Sequence, residues 1–363
     1  MTYDYLIVGC GFFGSVCARE LTDKGYKCLV IDKKNHVGGD CYSENIEGIN
    51  VHIYGAHVFH TSNEQVWNYI NKFCSFNHFI NRPRVLFKNK LYSFPINLLT
   101  LHQVFGVKTP TEARKKLEEV RVKIDNPQNL EEYVLSVLGK ELYEIFIKGY
   151  TIKQWKKDPK ELPVSIIKRL PIRLTFDDNY FFDKFQGIPI GGYTNIFTTM
   201  LKGIEVKLET NYLTNRNYFD SLAKKVIYTG PIDEFYDYQY GELEYLTLRF
   251  EKEFLDCEDY QGVAVMNCTE ESVPYTKIVE HKHFEFNNNQ PHTIITKEYP
   301  EEWNKTKDPH YPINNNKNEK ILCDYKNLCN SQKNVIFGGR LAEYKYYDMD
   351  DSIEKALSLT SQL

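Results

Sequence analysis

The run Gly9-Cys10-Gly11-Phe12-Phe13-Gly14 constrains this chain more than any other feature of its sequence. It follows a short apolar stretch, Tyr5 to Val8, and leads into Val16, Cys17, Glu20 and Leu21 at helical spacing. Gly25 stops that helix, and Cys28 to Ile31 supplies a second apolar strand. Strand, glycine turn, helix and strand make the start of a βαβ unit, whose parallel strands are buried on both faces. Gly9 permits the tight turn, Gly11 lets backbone approach a pyrophosphate, and Gly14 allows close helix–strand packing. The helix amino terminus offers unpaired N–H groups to phosphate. Asp32 ends the second strand, where a carboxylate accepts ribose hydroxyls. The pattern predicts a bound dinucleotide.

Charge and composition narrow the remaining classes. A formal net charge of −4 argues against a dedicated nucleic-acid binder, which carries a concentrated basic surface. No apolar run approaches the roughly 20 residues of a membrane span. Met1-Thr2-Tyr3-Asp4 is unlike a secretory signal, and nine cysteines without a CxxC pair fit reduced thiols, so a cytoplasmic location is expected. The 27 Tyr and 22 Phe supply flat faces with polar rims for stacking on bases or sugars, although most must simply fill a core.

Past the first strands the pattern changes twice. Thr111 to Val122 and Leu130 to Gly149 carry apolar positions at spacings of three and four, with Asn129 or Asn126 as a cap. Leu246 to Phe250 and Thr293 to Thr296 read as strands of an antiparallel sheet, and Asn287 to Asn289 and Asn314 to Asn316 as loops. A strand from Asn334 to Phe337, Gly338-Gly339-Arg340 and a helix from about Asp350 return to the first domain. The expected fold is α/β: a Rossmann-like FAD-binding domain with an inserted helical lobe and an antiparallel β-sheet lobe. The expected parts are a discontinuous cofactor domain (1–80, 190–240, 317–363), a helical substrate and lid domain (98–178) and a sheet domain (81–97, 179–189, 241–316).

A second signal selects FAD over NAD. Asp32 is followed six residues on by Gly38-Gly39, which resembles flavoproteins of the glutathione-reductase and amine-oxidase type; the paired glycines let backbone lie close to the cofactor. Four further segments resemble the UDP-galactopyranose mutases: Tyr54 to His60, Lys148-Gly149-Tyr150-Thr151-Ile152-Lys153-Gln154-Trp155, Gly187 to Tyr193, and Gly338 to Met349. A general flavoprotein fold accounts for the glycines but not for the Lys148–Trp155 motif. The resemblance implies reversible isomerisation of UDP-galactopyranose to UDP-galactofuranose through a covalent adduct of the sugar with N5 of reduced FAD, without net redox. The cofactor carries that chemistry while protein supplies orientation and charge.

The same resemblance assigns residues. Cofactor contacts fall on Gly9, Gly11, Phe13, Gly14, Asp32, Lys33, Gly38, Gly39, Asp40, His57, Val58, Arg340, Asp348 and Met349, with His60 beside the flavin. Asp40 stands where the family often has Asn, exchanging an amide donor for an acceptor. Arg169 matches a phosphate-clamping arginine on a mobile loop bracketed by Pro163 and Pro171. The second phosphate arginine is Lys277 here, which keeps the charge but loses the bidentate fork. Phe146, Tyr150, Thr151, Gln154 and Trp155 match the uridine pocket, Phe146 and Tyr150 being one helical turn apart. Tyr180, Tyr311 and Tyr346 match diphosphate tyrosines, and Asn81 and Asn267 other substrate contacts. The bland reading of His60, Trp155 or any single tyrosine is structural.

The family further implies a homodimer that takes a UDP-sugar and supplies furanose donors for surface glycans. Alternatives are the same reaction on UDP-N-acetylgalactosamine, an amine-oxidase-type redox flavoenzyme, and a non-catalytic sugar-nucleotide sensor.

Overall fold

A computed structural model describes residues 2–167, 172–286 and 288–363. The chain forms two compact units, one of residues 1–78, 183–247 and 303–363 and one of residues 79–182 and 248–302.

The first unit is organised by a five-stranded parallel sheet in the order Val335–Phe337, Ala223–Tyr228, Tyr3–Val8, Cys28–Ile31, Glu205–Lys207. Successive residues point to opposite faces. Ile7, Val30 and Ile227 pack with Val16, Leu21, Ile353 and Ala356, while Leu6, Leu29 and Val226 pack with Phe235, Leu243 and Tyr325. The helix Phe12–Asp23 covers the first face beside the last helix, Met349–Ser361. Lys24 caps its end and Gly25 takes the left-handed φ of 91° that turns the chain into the second strand. The predicted βαβ start is therefore observed.

In the second unit the strands run Tyr245–Leu255, Thr293–Glu302, Lys277–Glu280, Val265–Cys268, Arg84–Phe87, Lys90–Ser93, the first of them entered from the first unit. Pairing is antiparallel in the hairpins, but Val265–Cys268 and Arg84–Phe87 run parallel, an exception to the expected antiparallel sheet. Val85 and Tyr92 pack beneath a helical layer built on Leu101, Leu117, Leu130 and Val134. The helices and the sheet belong to the same compact unit.

Three local expectations need correction. The stretch Leu130 to Gly149 is not one helix. It breaks at Gly139, where a Cβ would lie 2.4 Å from the Val120 carbonyl oxygen, and continues through a π-helical turn, Tyr143–Lys148, into Gly149–Trp155. That turn separates Phe146 from Tyr150, so their four-residue spacing is not a plain α-helical turn. Asn129 is the cap, its side chain accepting the Glu132 N–H at 2.9 Å. Asn314 to Asn316 are not merely loop: Asn315 caps an unexpected helix, Asn316–Ser331, by accepting the Asn318 N–H at 2.8 Å.

Candidate active site

In the first unit three glycine segments converge. A Cβ on Gly14 would lie 1.9 Å from the Gly9 carbonyl oxygen, and one on Gly39 would lie 3.2 Å from the Gly11 Cα. A Cβ on Gly338 would enter the Phe13 ring at 2.3 Å. The helix that opens at Phe12 has no side-chain cap and no acidic residue in its first turn, leaving its N–H groups and dipole to an anion. Asp32 organises the loop: its carboxylate accepts the Cys10 N–H at 2.8 Å and the Lys34 N–H at 2.9 Å. Backbone clearance and open N–H groups fit a dinucleotide such as FAD.

Beyond the glycines lies a charge network. Asp40 bonds Lys34 at 3.1 Å and Arg340 at 2.6 Å, and Asp308 bonds Lys34 at 3.3 Å and Lys33 at 3.4 Å. Burial alone would raise the Asp40 pKa, but Lys34 and Arg340 outweigh it and hold the carboxyl well below the ordinary range. Lys34 also stands 3.9 Å over the Tyr54 ring. Asp40 is thus a neutralised carboxylate. Lys34 and Asp308 were missed by the sequence reading, which took the more exposed Lys33; charge alone cannot rank two adjacent lysines.

His57 and Val58 follow Gly55. The His57 Nδ1 lies 2.9 Å from the Gly55 carbonyl, Tyr193 donates to the His57 carbonyl at 3.2 Å, and Val58 is buried. His60 Nδ1 lies 2.8 Å from Asp183, a partner 123 positions away that sequence spacing could not reveal. Asp348 and Asp350 have raised pKa values, chiefly from burial, with His60 acting in the opposite direction on both. Asp348 and Met349 begin the last helix, and Tyr311 and Tyr346 stack with centroids 5.8 Å apart.

The second unit gathers most of the other substrate candidates. Asn267 and Lys277 are register partners on neighbouring strands. The Lys277 ammonium lies 3.1 Å from the Glu298 carboxylate, which is buried. Burial raises the Tyr150 pKa; Lys277 opposes that shift, and Tyr180 and Glu298 add to it, which places all four in one electrostatic neighbourhood. Tyr180 sits 6.1 Å from Phe94, and Phe94 stacks at 6.3 Å on Phe146. Phe146 itself is buried between Phe94 and Tyr92. The Tyr180 N–H donates to the Asn81 carbonyl at 2.8 Å, while the Asn81 side-chain oxygen is buried without a hydrogen-bond partner. Thr151 is buried, and Gln154 and Trp155 are half-buried. Arg169 lies outside the described residues, as does Pro171. Glu298, the partner of Lys277, was also missed, because a glutamate in a strand carries no sign of burial.

Comparison with known proteins fits this geometry. A family model described as UDP-galactopyranose mutase matches residues 145–346, and one for an NAD(P)-binding Rossmann-like domain matches residues 7–73. The chain is 44% identical to a probable UDP-galactopyranose mutase of Klebsiella pneumoniae, covering 98% of this chain and 94% of that one. It is 42% identical to a dTDP-fucopyranose mutase of Escherichia coli, covering 97% and 96% respectively. A crystal structure of reduced UDP-galactopyranose mutase superposes with a TM-score of 0.76 at 14% identity, over 99% of this chain and 95% of that one, and so shares the fold. The chain therefore belongs to the UDP-galactopyranose mutase family, a family of FAD-dependent isomerases.

Proposed function

We propose that the chain interconverts the pyranose and furanose forms of UDP-galactose. The observation that carries this reading is the Lys277–Glu298 pair in the neighbourhood of Tyr150, with Asn267 as the strand partner of Lys277. A nucleotide sugar needs an aromatic face for its base, a cation for its diphosphate and amides for its hydroxyls. Negative charge grows on the diphosphate as the anomeric C–O bond breaks, and the Lys277 cation opposes it. Arg169 supplies the second cation. Asn81 offers its buried, unpartnered side-chain oxygen to a hydroxyl. Tyr150 and Trp155 hold uracil, and Tyr180, Tyr311 and Tyr346 donate to phosphate oxygens.

The glycine segments, Asp32, Asp40 and Arg340 would hold FAD, which when bound and reduced would supply a nucleophilic electron pair at N5 for exchange at the anomeric carbon without net redox. Asp183 orients the His60 ring through Nδ1. We assign cofactor binding to 1–80, 190–240 and 317–363, the lid to 98–178 and the sheet to 81–97, 179–189 and 241–316. We place the enzyme in the cytoplasm as a homodimer, supplying furanose donors for surface glycans. Among the described residues no helix is long and apolar enough to cross a membrane.

A second reading has a specific support. The chain is nearly as similar to the relative named dTDP-fucopyranose mutase as to the one named for UDP-galactopyranose, and Lys277 stands where the resemblance implies an arginine. The substrate would then be a deoxythymidine-linked 6-deoxy sugar. Anaerobic turnover with dithionite on UDP-galactose, UDP-N-acetylgalactosamine and dTDP-fucose in parallel separates the readings. A higher kcat/KM on UDP-galactose supports the first, and a preference for dTDP-fucose replaces it by the second.

A further inference from the structure

Lys153 stands in the middle of the Lys148–Trp155 motif, and its ammonium is buried. It donates to three backbone carbonyls, of Cys268 at 2.6 Å, Glu270 at 2.8 Å and Tyr275 at 2.8 Å. Those carbonyls span the turn that joins Val265–Cys268 to Lys277–Glu280, the strands that carry Asn267 and Lys277. Two more contacts seat the same helical segment on the same turn. A Cβ on Gly149 would lie 2.3 Å from the Thr269 carbonyl oxygen, so backbone meets backbone there. The Thr269 hydroxyl donates at 2.5 Å to the Ile145 carbonyl, which lies within the π-helical turn. Ile145, Gly149 and Lys153 thus all meet this one turn, while Tyr150 and Thr151 lie between Gly149 and Lys153 and Gln154 and Trp155 directly follow it.

We propose that Lys153 is a positioning residue that fixes the base-binding helix against the strand pair bearing Asn267 and Lys277, holding base and phosphate contacts in one register. The proposal rests on the nucleotide-sugar reading above. Only a protonated ammonium has three N–H groups for three carbonyls; the neutral amine has two. Burial pushes the Lys153 pKa down to about 8, helped by Lys156, while Cys268, Glu270 and Glu271 act in the opposite direction. As pH rises through that value one carbonyl loses its donor, the turn loosens from the helix, and nucleotide affinity falls.

The test is titration of UDP, and in parallel dTDP, into FAD-loaded protein between pH 7 and 9. Lys153→Met should weaken nucleotide binding by about thirtyfold, in the range expected for losing hydrogen bonds to a charged group. Flavin content should not change, and the alkaline fall in affinity shown by the parent protein should disappear. A folded Lys153→Met protein that binds within threefold of the parent, or keeps the same pH profile, overturns the proposal. Thr269→Val removes a single bond at the same seam and should weaken UDP binding about fivefold; if Lys153→Met does not fold, parent-like affinity in Thr269→Val overturns it instead. A parent protein that binds neither nucleotide overturns the nucleotide-sugar reading itself, a separate failure.

Discussion

Gly14 shows what a single residue decides. Its missing Cβ leaves room for the Gly9 carbonyl oxygen, and Gly14→Ala would force those backbones apart. The variant should purify with little bound flavin, measured by visible absorbance against protein absorbance. Lys277 illustrates a different dependence, since its ammonium pairs with the buried Glu298 and is proposed above to meet a phosphate as well. Lys277→Ala should weaken UDP binding by roughly tenfold to a hundredfold, at about 1.4 kcal/mol per decade, and leave flavin content unchanged. Arg169→Ala should keep its flavin and lose nearly all turnover; near-normal turnover would make that arginine a surface residue. The glycines were legible in the sequence because a backbone requirement dictates residue type. Glu298, Asp183 and Lys34 were not, because each acquires its role from a partner that only the fold brings near.

Among the elements, the first strand and helix were readable because their apolar residues recur at the period of the structure they form. The helix Asn316–Ser331 was equally readable, since Ile321, Leu322, Tyr325, Leu328 and Cys329 recur at helical spacing and pack on the core, but the Asn-rich start drew a loop assignment instead. The break at Gly139 and the π-helical turn escaped because the periodicity continues across both. One element-scale consequence concerns the turn after Lys277–Glu280. His281 there is buried, with Nε2 2.7 Å from the Thr296 hydroxyl, and burial pushes its pKa down to about 3. The folded form stays neutral where the unfolded chain would already bind a proton, so this stability is present above the usual histidine pKa. It is lost as pH falls from about 6.5 toward 3. The melting temperature should therefore drop over that interval, and less steeply in His281→Gln; an equal drop in the variant would assign the acid sensitivity elsewhere.

Taken as a whole molecule, the chain combines a parallel-sheet unit with the backbone clearances of a dinucleotide site and a sheet-and-helix unit in which Lys277, Glu298, Tyr150 and Tyr180 gather. Fold class and cofactor followed from the glycine segments, while the family followed from motifs whose chemistry no periodicity encodes. Substrate identity was left open by the residue at 277, and the paired likenesses to galactose and fucose mutases keep it an experimental matter. The central claim is that reduced FAD, held here, isomerises a nucleotide-linked sugar with no net electron transfer. The direct test is anaerobic incubation of UDP-galactofuranose with the FAD-loaded protein, oxidised or pre-reduced by dithionite, followed by chromatographic separation of the two sugar nucleotides. The account expects UDP-galactopyranose to form only with the reduced enzyme, over many turnovers for each flavin and with the flavin still reduced at the end. A reduced enzyme that converts neither UDP- nor dTDP-linked sugar, or that turns over only while consuming reductant, would contradict it.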